Sequence, residues 1–238
     1  IYPQAAVSTY SLLQKLGLQV EFIERGACCG LPELDMGYEK HSCTLEQGVA
    51  PYVCDKGYDY VVVPSGICTD QFRYHFNELE QTPEVLHFRE TVYDPVEFLH
   101  DVLKVKELPG KPRFPYRVAI HNGCHSLRYL KEARPSELMI KPFDKSAALL
   151  SLVEGIETGY ATRRDECCGF GGVFSIWDAP CSGQQGRDKV NDYARNGFKY
   201  VTSQDMSCLI HQQTIARKIG LELKMFYITE ILNGDAKP

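Results

Sequence analysis

Two stretches of this chain repeat one another at a nearly constant offset. Glu24-Arg25-Gly26-Ala27-Cys28-Cys29-Gly30-Leu31 aligns with Arg163-Arg164-Asp165-Glu166-Cys167-Cys168-Gly169-Phe170. Further on, Tyr58-Asp59-Tyr60-Val61-Val62 followed by Cys68 aligns with Phe198-Lys199-Tyr200-Val201-Thr202 followed by Cys208. The offset is 139 at the doublet and 140 at the later cysteine. A register held over that distance indicates duplication of one unit, since chance likeness of short cysteine motifs does not explain the matched strand pattern. The fold must therefore be one that can be built twice.

The pattern around the repeats predicts an α/β protein: two pseudo-symmetric α/β halves with mostly parallel sheets, each carrying a Cys-Cys-Gly motif. In the first half, apolar spacing predicts a helix over Gln4–Leu16 that stops at Gly17, and a strand over Leu18–Ile23. A helix over Leu45–Lys56 and a strand over Tyr60–Val63 ending at Pro64-Ser65-Gly66 come next, then a helix over Asp94–Val105. Glu107-Leu108-Pro109-Gly110-Lys111-Pro112 reads as a linker, which divides the chain into residues 1–108 and 113–238. Beyond it, strands are predicted over Tyr116–His121, Lys199–Thr202 and Leu223–Tyr227, with helices over Ala147–Val153, Gln185–Asn196 and Leu209–Ile219. In parallel sheets the functional loops lie at the carboxyl ends of the strands, and the second-half cysteines fall in such loops.

The chain has 238 residues, a net charge of -5 and ten cysteines. No polybasic run marks a nucleic-acid or anionic-lipid partner, and no stretch of about 18 apolar residues spans a membrane. It opens Ile1-Tyr2-Pro3-Gln4, without Met or a signal-peptide pattern, and reads as a fragment or a processed chain. A disulfide framework belongs to much shorter secreted chains, so reduced, cytoplasmic, metal-binding thiols are expected instead.

Cys124, Cys167, Cys168 and Cys208 make a four-thiolate set in the second half, the usual complement of a [4Fe-4S] centre. The first half offers Cys28, Cys29 and Cys68, and the counterpart of Cys124 would lie before residue 1. That half is thus expected to lack its N-terminal strand and to hold an incomplete site. Adjacent side chains of an extended strand point to opposite faces, so a doublet suits a wide cluster better than one zinc ion. Gly169 permits a turn of positive φ, and Gly169, Gly171 and Gly172 either offer backbone N–H groups to the sulfurs or simply form a tight glycine turn, two readings of equal weight. Cys43, Cys54 and Cys181 read as small hydrophobes. Two alternatives stay open: a structural zinc or interaction module using the same cysteines, and a thiol catalyst with His121, His125 or His211 as base. Arg128 could meet a carboxylate, but a solvated surface arginine is the expected reading.

The motifs Pro64-Ser65-Gly66-Ile67-Cys68, Cys124-His125-Ser126-Leu127-Arg128 and Cys167-Cys168-Gly169-Phe170-Gly171-Gly172-Val173-Phe174-Ser175 resemble the cysteine-rich CCG-domain iron–sulfur oxidoreductases. Within that family the pattern is most similar to the lactate-utilisation and glycolate-oxidase branch. The resemblance implies an iron–sulfur electron-transfer subunit of a cytoplasmic system that oxidises hydroxy acids such as L-lactate or glycolate. Its partners would be other iron–sulfur or flavin subunits. The related disulfide-reductase branch ends each motif in Cys-x-x-Cys, where this chain has Gln71 and His211. The non-cubane clusters and disulfide chemistry of that branch are therefore not implied.

Overall fold

The computed structural model of the chain describes residues 2–23 and 28–238. Its first half runs α1 (Pro3–Lys15), α2 (Leu31–Asp35), α3 (Glu39–Gln47), α4 (Val49–Lys56), β1 (Val61–Val62), α5 (Gly66–Asp70), α6 (Pro83–Thr91), β2 (Val92–Tyr93) and α7 (Pro95–Glu97). The second runs β3 (Arg117–Ile120), α8 (Cys124–Arg128), α9 (Lys145–Leu150), β4 (Glu157–Gly159), α10 (Phe174–Trp177), α11 (Ala179–Arg195), β5 (Tyr200–Ser203), α12 (Met206–Lys218), β6 (Lys224–Tyr227) and α13 (Ile228–Asn233). Among the described residues no helix is long and apolar enough to cross a membrane.

The second-half sheet is fully parallel, in the order β4-β3-β5-β6. After β3 the chain crosses to β4 on one side, then returns to place β5 on the other. The switch point of the sheet thus lies between β3 and β5, where open α/β sheets form their binding crevice. In the first half β1 and β2 pair in parallel, Val61 opposite Val92. They match β5 and β6: β1 leads to Cys68 as β5 leads to Cys208. Two α/β halves, each bearing a Cys-Cys-Gly motif, are therefore present.

The predicted strand over Leu18–Ile23 does not form; these residues run as irregular chain. Its counterpart β4 has β3 as its only neighbour. Among the described residues no strand stands in that place beside 18–23, and a strand without a partner leaves its backbone groups unmet. The single helix expected over Leu45–Lys56 is broken at Gly48 into α3 and α4. Helix α11 begins six residues before the predicted start, because Asp178 accepts the Cys181 N–H at 3.2 Å and Pro180 occupies the first turn. The repeat residues Glu24–Ala27 lie outside the described residues.

Each half has its own core: Val53, Phe72, Phe76 and Phe88 in the first, Val190, Tyr193, Val201 and Leu209 in the second. A third core crosses between them, with Ala5, Leu12 and Leu13 of α1 packed among Val118, Phe226, Ile228 and Ile231. Polar contacts line its edge. Thr9 and Thr229 hydroxyls meet at 3.0 Å, and Lys15 Nζ donates to Asn233 Oδ1 at 2.9 Å. Fully burying one such leucine stabilises the fold by roughly 1.5–3 kcal/mol, so this seam holds the two halves in register around the cysteines.

Candidate metal centre

The four second-half cysteines converge at the carboxyl edge of the parallel sheet. The β3–β5 ladder extends one residue past β3, where the His121 N–H donates to Thr202 O at 2.8 Å. The chain then turns through Asn122-Gly123, and Cys124 opens α8. Cys167 and Cys168 sit in the irregular segment between β4 and α10, and Cys208 lies in the first turn of α12. The thiols form a chain of contacts, Cys124 to Cys167 to Cys168 to Cys208. No disulfide joins any of the ten cysteines among the described residues.

The doublet reaches this position because its backbone is not extended. Gly169 has φ +88°, which lets its N–H donate to Cys167 Sγ at 3.3 Å and the Phe170 N–H donate to Cys168 Sγ at 3.4 Å. A Cβ at residue 169 would stand 2.5 Å from the Ser182 carbonyl oxygen. Gly169→Ala therefore combines a left-handed backbone with a backbone clash. It should cost on the order of 2 kcal/mol or more, read as a lower denaturation midpoint in urea.

The sulfurs polarise one another. Hydrogen bonds from Cys124 and then Cys168, helped by the Gly169 N–H, hold the Cys167 thiol far below its usual range, as a thiolate. Donation to Cys167 raises Cys124, and donation to Cys167 and Cys208 raises Cys168. At Cys208 the hydrogen bond from Cys168 lowers the pKa, but burial and the Asp205 and Cys167 charges together outweigh it and raise it. A site that already stabilises thiolate is suited to a cationic metal.

Beneath the sulfurs lies His121, fully buried, with no hydrogen-bond partner at either ring nitrogen. One of its nitrogens and the Sγ atoms of Cys168 and Cys208 lie within 4.8 Å of one another. Burial, with the Lys189 charge, pushes the imidazole down to about 3, so it is neutral. The buried Tyr193 hydroxyl, which feels the charges of Cys168 and Cys208, also has no partner. Cys124 and Cys167 line an open pocket of ≈ 410 Å³ with His125, Arg128, Tyr129 and Asp165. Arg128 is paired with Glu137 at 3.1 Å there.

In the first half the structure brings Cys29 and Cys68 together, and Cys28 lies exposed beside them. Donation to Cys68 raises Cys29 and lowers Cys68. Cys43 packs against the same core as Cys68, while Cys54 donates to Glu84 O at 3.6 Å. Cys181 does not fit the reading as a small buried hydrophobe: it is exposed on α11.

The two cysteine sites share a polar seam. Asp205 accepts the Ile67 N–H at 3.2 Å and the Ser207 hydroxyl at 2.8 Å, and its charge acts on both Cys68 and Cys208. His125 Nδ1 meets Asp70 Oδ2 across the halves at 2.5 Å. Burial alone would lower the His125 pKa, but Asp70, with Asp205 and Asp35, raises it. His211, by contrast, rests its Nε2 3.5 Å from the Ser182 hydroxyl. Among the described residues His121, His125 and His211 make no hydrogen bond to a motif thiol, as a catalytic base would need to.

Deeper in the seam, Asp94 and Glu132 are fully buried and hydrogen-bonded to each other. Asp94 Oδ1 caps α7 by accepting the Val96 N–H at 2.7 Å, and Gln204 donates to Glu132 Oε2 at 2.9 Å. The remaining oxygens, Asp94 Oδ2 and Glu132 Oε1, have no other donor. A proton held by the pair would supply the donor these oxygens lack. Burial raises Asp94 to about 7 and, with the Asp94 charge, also raises Glu132 well above the usual carboxylate range. Sequence reasoning passed over Asp70, Asp94, Glu132 and Asp205. The one available signal is position, since Asp94 and Asp205 each follow a strand end.

The chemistry of these donors fits a metal centre: soft thiolates, backbone N–H groups on the sulfurs, and an unpartnered imidazole within reach. Comparisons with known proteins agree in kind. The chain matches the CCG cysteine-rich domain family over residues 1–73 and 118–212. It is 32% identical to lactate utilization protein A of Halalkalibacterium halodurans over 98% of this chain and 91% of that protein. It is 30% identical to lactate utilization protein A of Bacillus pumilus, covering 98% and 93%. The Bacillus thuringiensis protein of that name is 29% identical, covering 95% and 91%. With both repeats matched and the cysteine loops assembled at the sheet edge, the chain is a member of the cysteine-rich CCG-domain family, related to the lactate utilization A proteins.

Proposed function

We propose that this chain is the iron–sulfur electron-transfer subunit of a cytoplasmic hydroxy-acid oxidation system acting on L-lactate or glycolate. The observation that carries this reading is the convergence of Cys124, Cys167, Cys168 and Cys208 at the switch point of the parallel sheet. In this reading the four thiolates hold a [4Fe-4S] centre, and Cys28, Cys29 and Cys68 form a second, incomplete site. Bound iron and sulfide would supply one-electron chemistry. The chain's own residues hold Cys167 as a thiolate, donate N–H groups from Gly169 to Cys167 and from Phe170 to Cys168, and keep water from the face lined by His121 and Tyr193. The repeats, residues 1–108 and 113–238, would each frame one of these sites.

The relatives' name, lactate utilization protein A, supports a role in lactate metabolism. The open pocket beside Cys124 and Cys167 has no fixed constellation for an α-hydroxy acid, since Arg128 is engaged by Glu137. In this reading, substrate oxidation falls to partner subunits carrying flavin or further clusters. After anaerobic reconstitution with iron and sulfide, the visible absorbance should bleach with dithionite but not with L-lactate or glycolate alone. Direct reduction by either acid would assign the substrate chemistry to this chain and contradict the subunit reading.

A second reading is a structural zinc site. One observation favours it: the His121, Cys168 and Cys208 donors lie within 4.8 Å of one another, compact enough for a single tetrahedral ion.

A further inference from the structure

The three histidines near the cysteine motifs differ in what their rings touch. His125 is fixed by the Asp70 carboxylate at 2.5 Å, and His211 faces the Ser182 hydroxyl at 3.5 Å. Both have ordinary polar partners. His121 has none: its side chain is fully buried at the end of β3, and neither ring nitrogen meets a donor or acceptor. A histidine that serves only to pack usually places at least one nitrogen against a carbonyl or hydroxyl, because an unmet buried polar atom is expensive.

The ring faces the sulfurs instead. One nitrogen is within 4.8 Å of Cys168 Sγ and of Cys208 Sγ, and those two sulfurs are within the same limit of each other. Donors bound to one metal at ~2.0–2.3 Å stand roughly 3.3–4.3 Å apart. The triangle therefore closes on a metal with shifts below an ångström. A ring nitrogen this close to two cysteine sulfurs can give its lone pair to a metal they hold while the other nitrogen keeps its proton. No proton has to leave such a ring before it binds.

We propose that His121 is itself a ligand of the metal centre, binding through a ring nitrogen beside Cys168 and Cys208, so that the site takes a mixed imidazole–thiolate set. This rests on the reading of the second-half cysteines as a metal centre. His121 can play the part whether one metal atom or several fill the site. It also explains why a histidine occupies a water-free position between the ends of β3 and β5, where an apolar residue would pack without penalty. Where His121 takes the place of one of the four thiolates, a neutral imidazole raises the potential of an iron–sulfur centre, as in sites where histidine replaces cysteine.

The test uses the full chain, reconstituted anaerobically with ferrous iron and sulfide, with and without ¹⁵N-labelled histidine, and reduced for pulsed EPR. The expected result is a nitrogen coupling of direct-bond size that changes with the isotope and is lost in His121→Phe. Circular dichroism checks that this variant folds. If it does not, His121→Gln and the isotope comparison in the unaltered chain carry the test. Bound iron without an isotope-sensitive coupling, or with one that survives in His121→Phe, overturns the assignment of His121 and leaves the metal-centre reading standing. A coupling weak enough to be relayed through a hydrogen bond overturns it equally. A chain that retains no metal at all, neither iron nor zinc, overturns both.

Discussion

Cys168→Ser is expected to strip iron from the second-half site, whereas Cys181→Ser leaves the iron content unchanged. Cys168 is the junction of the sulfur chain: it contacts both Cys167 and Cys208, accepts the Phe170 N–H at 3.4 Å, and lies within 4.8 Å of a His121 nitrogen. It is 1% exposed, so no water stands ready to replace it. Serine is a hard, weakly acidic donor in a place built for a soft thiolate. Altering residues that merely support a ligand typically weakens metal binding ~10–100-fold, and losing the central ligand should exceed that. Cys181 is exposed on α11, and its serine variant controls for general thiol loss. Iron and sulfide assays on both variants after identical anaerobic reconstitution check the difference. Equal iron in the two would remove Cys168 from the ligand set.

The second large effect concerns stability rather than metal. Asp94→Asn is expected to gain stability relative to the unaltered chain as the pH rises from about 4 to 8. Burial raises the folded-state pKa of Asp94 from 3.8 to about 7. Below the unfolded value both states carry the proton. Between the two values the folded state keeps a proton that the unfolded chain has released, so stability falls as pH rises and the loss is complete above about 7. A shift of this size corresponds to roughly 4 kcal/mol at most, with part shared by Glu132. Asparagine retains an oxygen for the Val96 N–H and offers an N–H to Glu132 Oε1 in place of the shared proton. Urea denaturation of both proteins at several pH values should give a stability difference that grows between pH 4 and 8. A difference independent of pH would show that the pair does not hold a proton.

The repeat was legible because it is linear: the two doublets, the strands before Cys68 and Cys208, and the glycine that turns the chain at Cys168 all lie within short windows. Gly169 takes the positive φ expected of it, and its N–H reaches a sulfur. Leu18–Ile23 was misread for a physical reason. Its composition suits a strand, but strand formation depends on a neighbour that sequence pattern does not report. Helix α5 was hidden by Pro64-Ser65-Gly66, which reads as a turn yet leads directly into a helical turn at Gly66. The buried acids were invisible for a different reason. Asp94 and Glu132 are 38 positions apart, and only the packing of one half on the other brings them together. His121 stood next to a motif, but its lack of partners becomes apparent only once the walls around it are in place.

The most direct test of the iron–sulfur account is the iron and acid-labile sulfide content of the chain purified without oxygen, alongside its zinc content. The account predicts iron and sulfide in comparable amounts, both lost in a variant with Cys124, Cys167, Cys168 and Cys208 all replaced by serine. Stoichiometric zinc without sulfide, unchanged after anaerobic reconstitution with iron and sulfide, would contradict it.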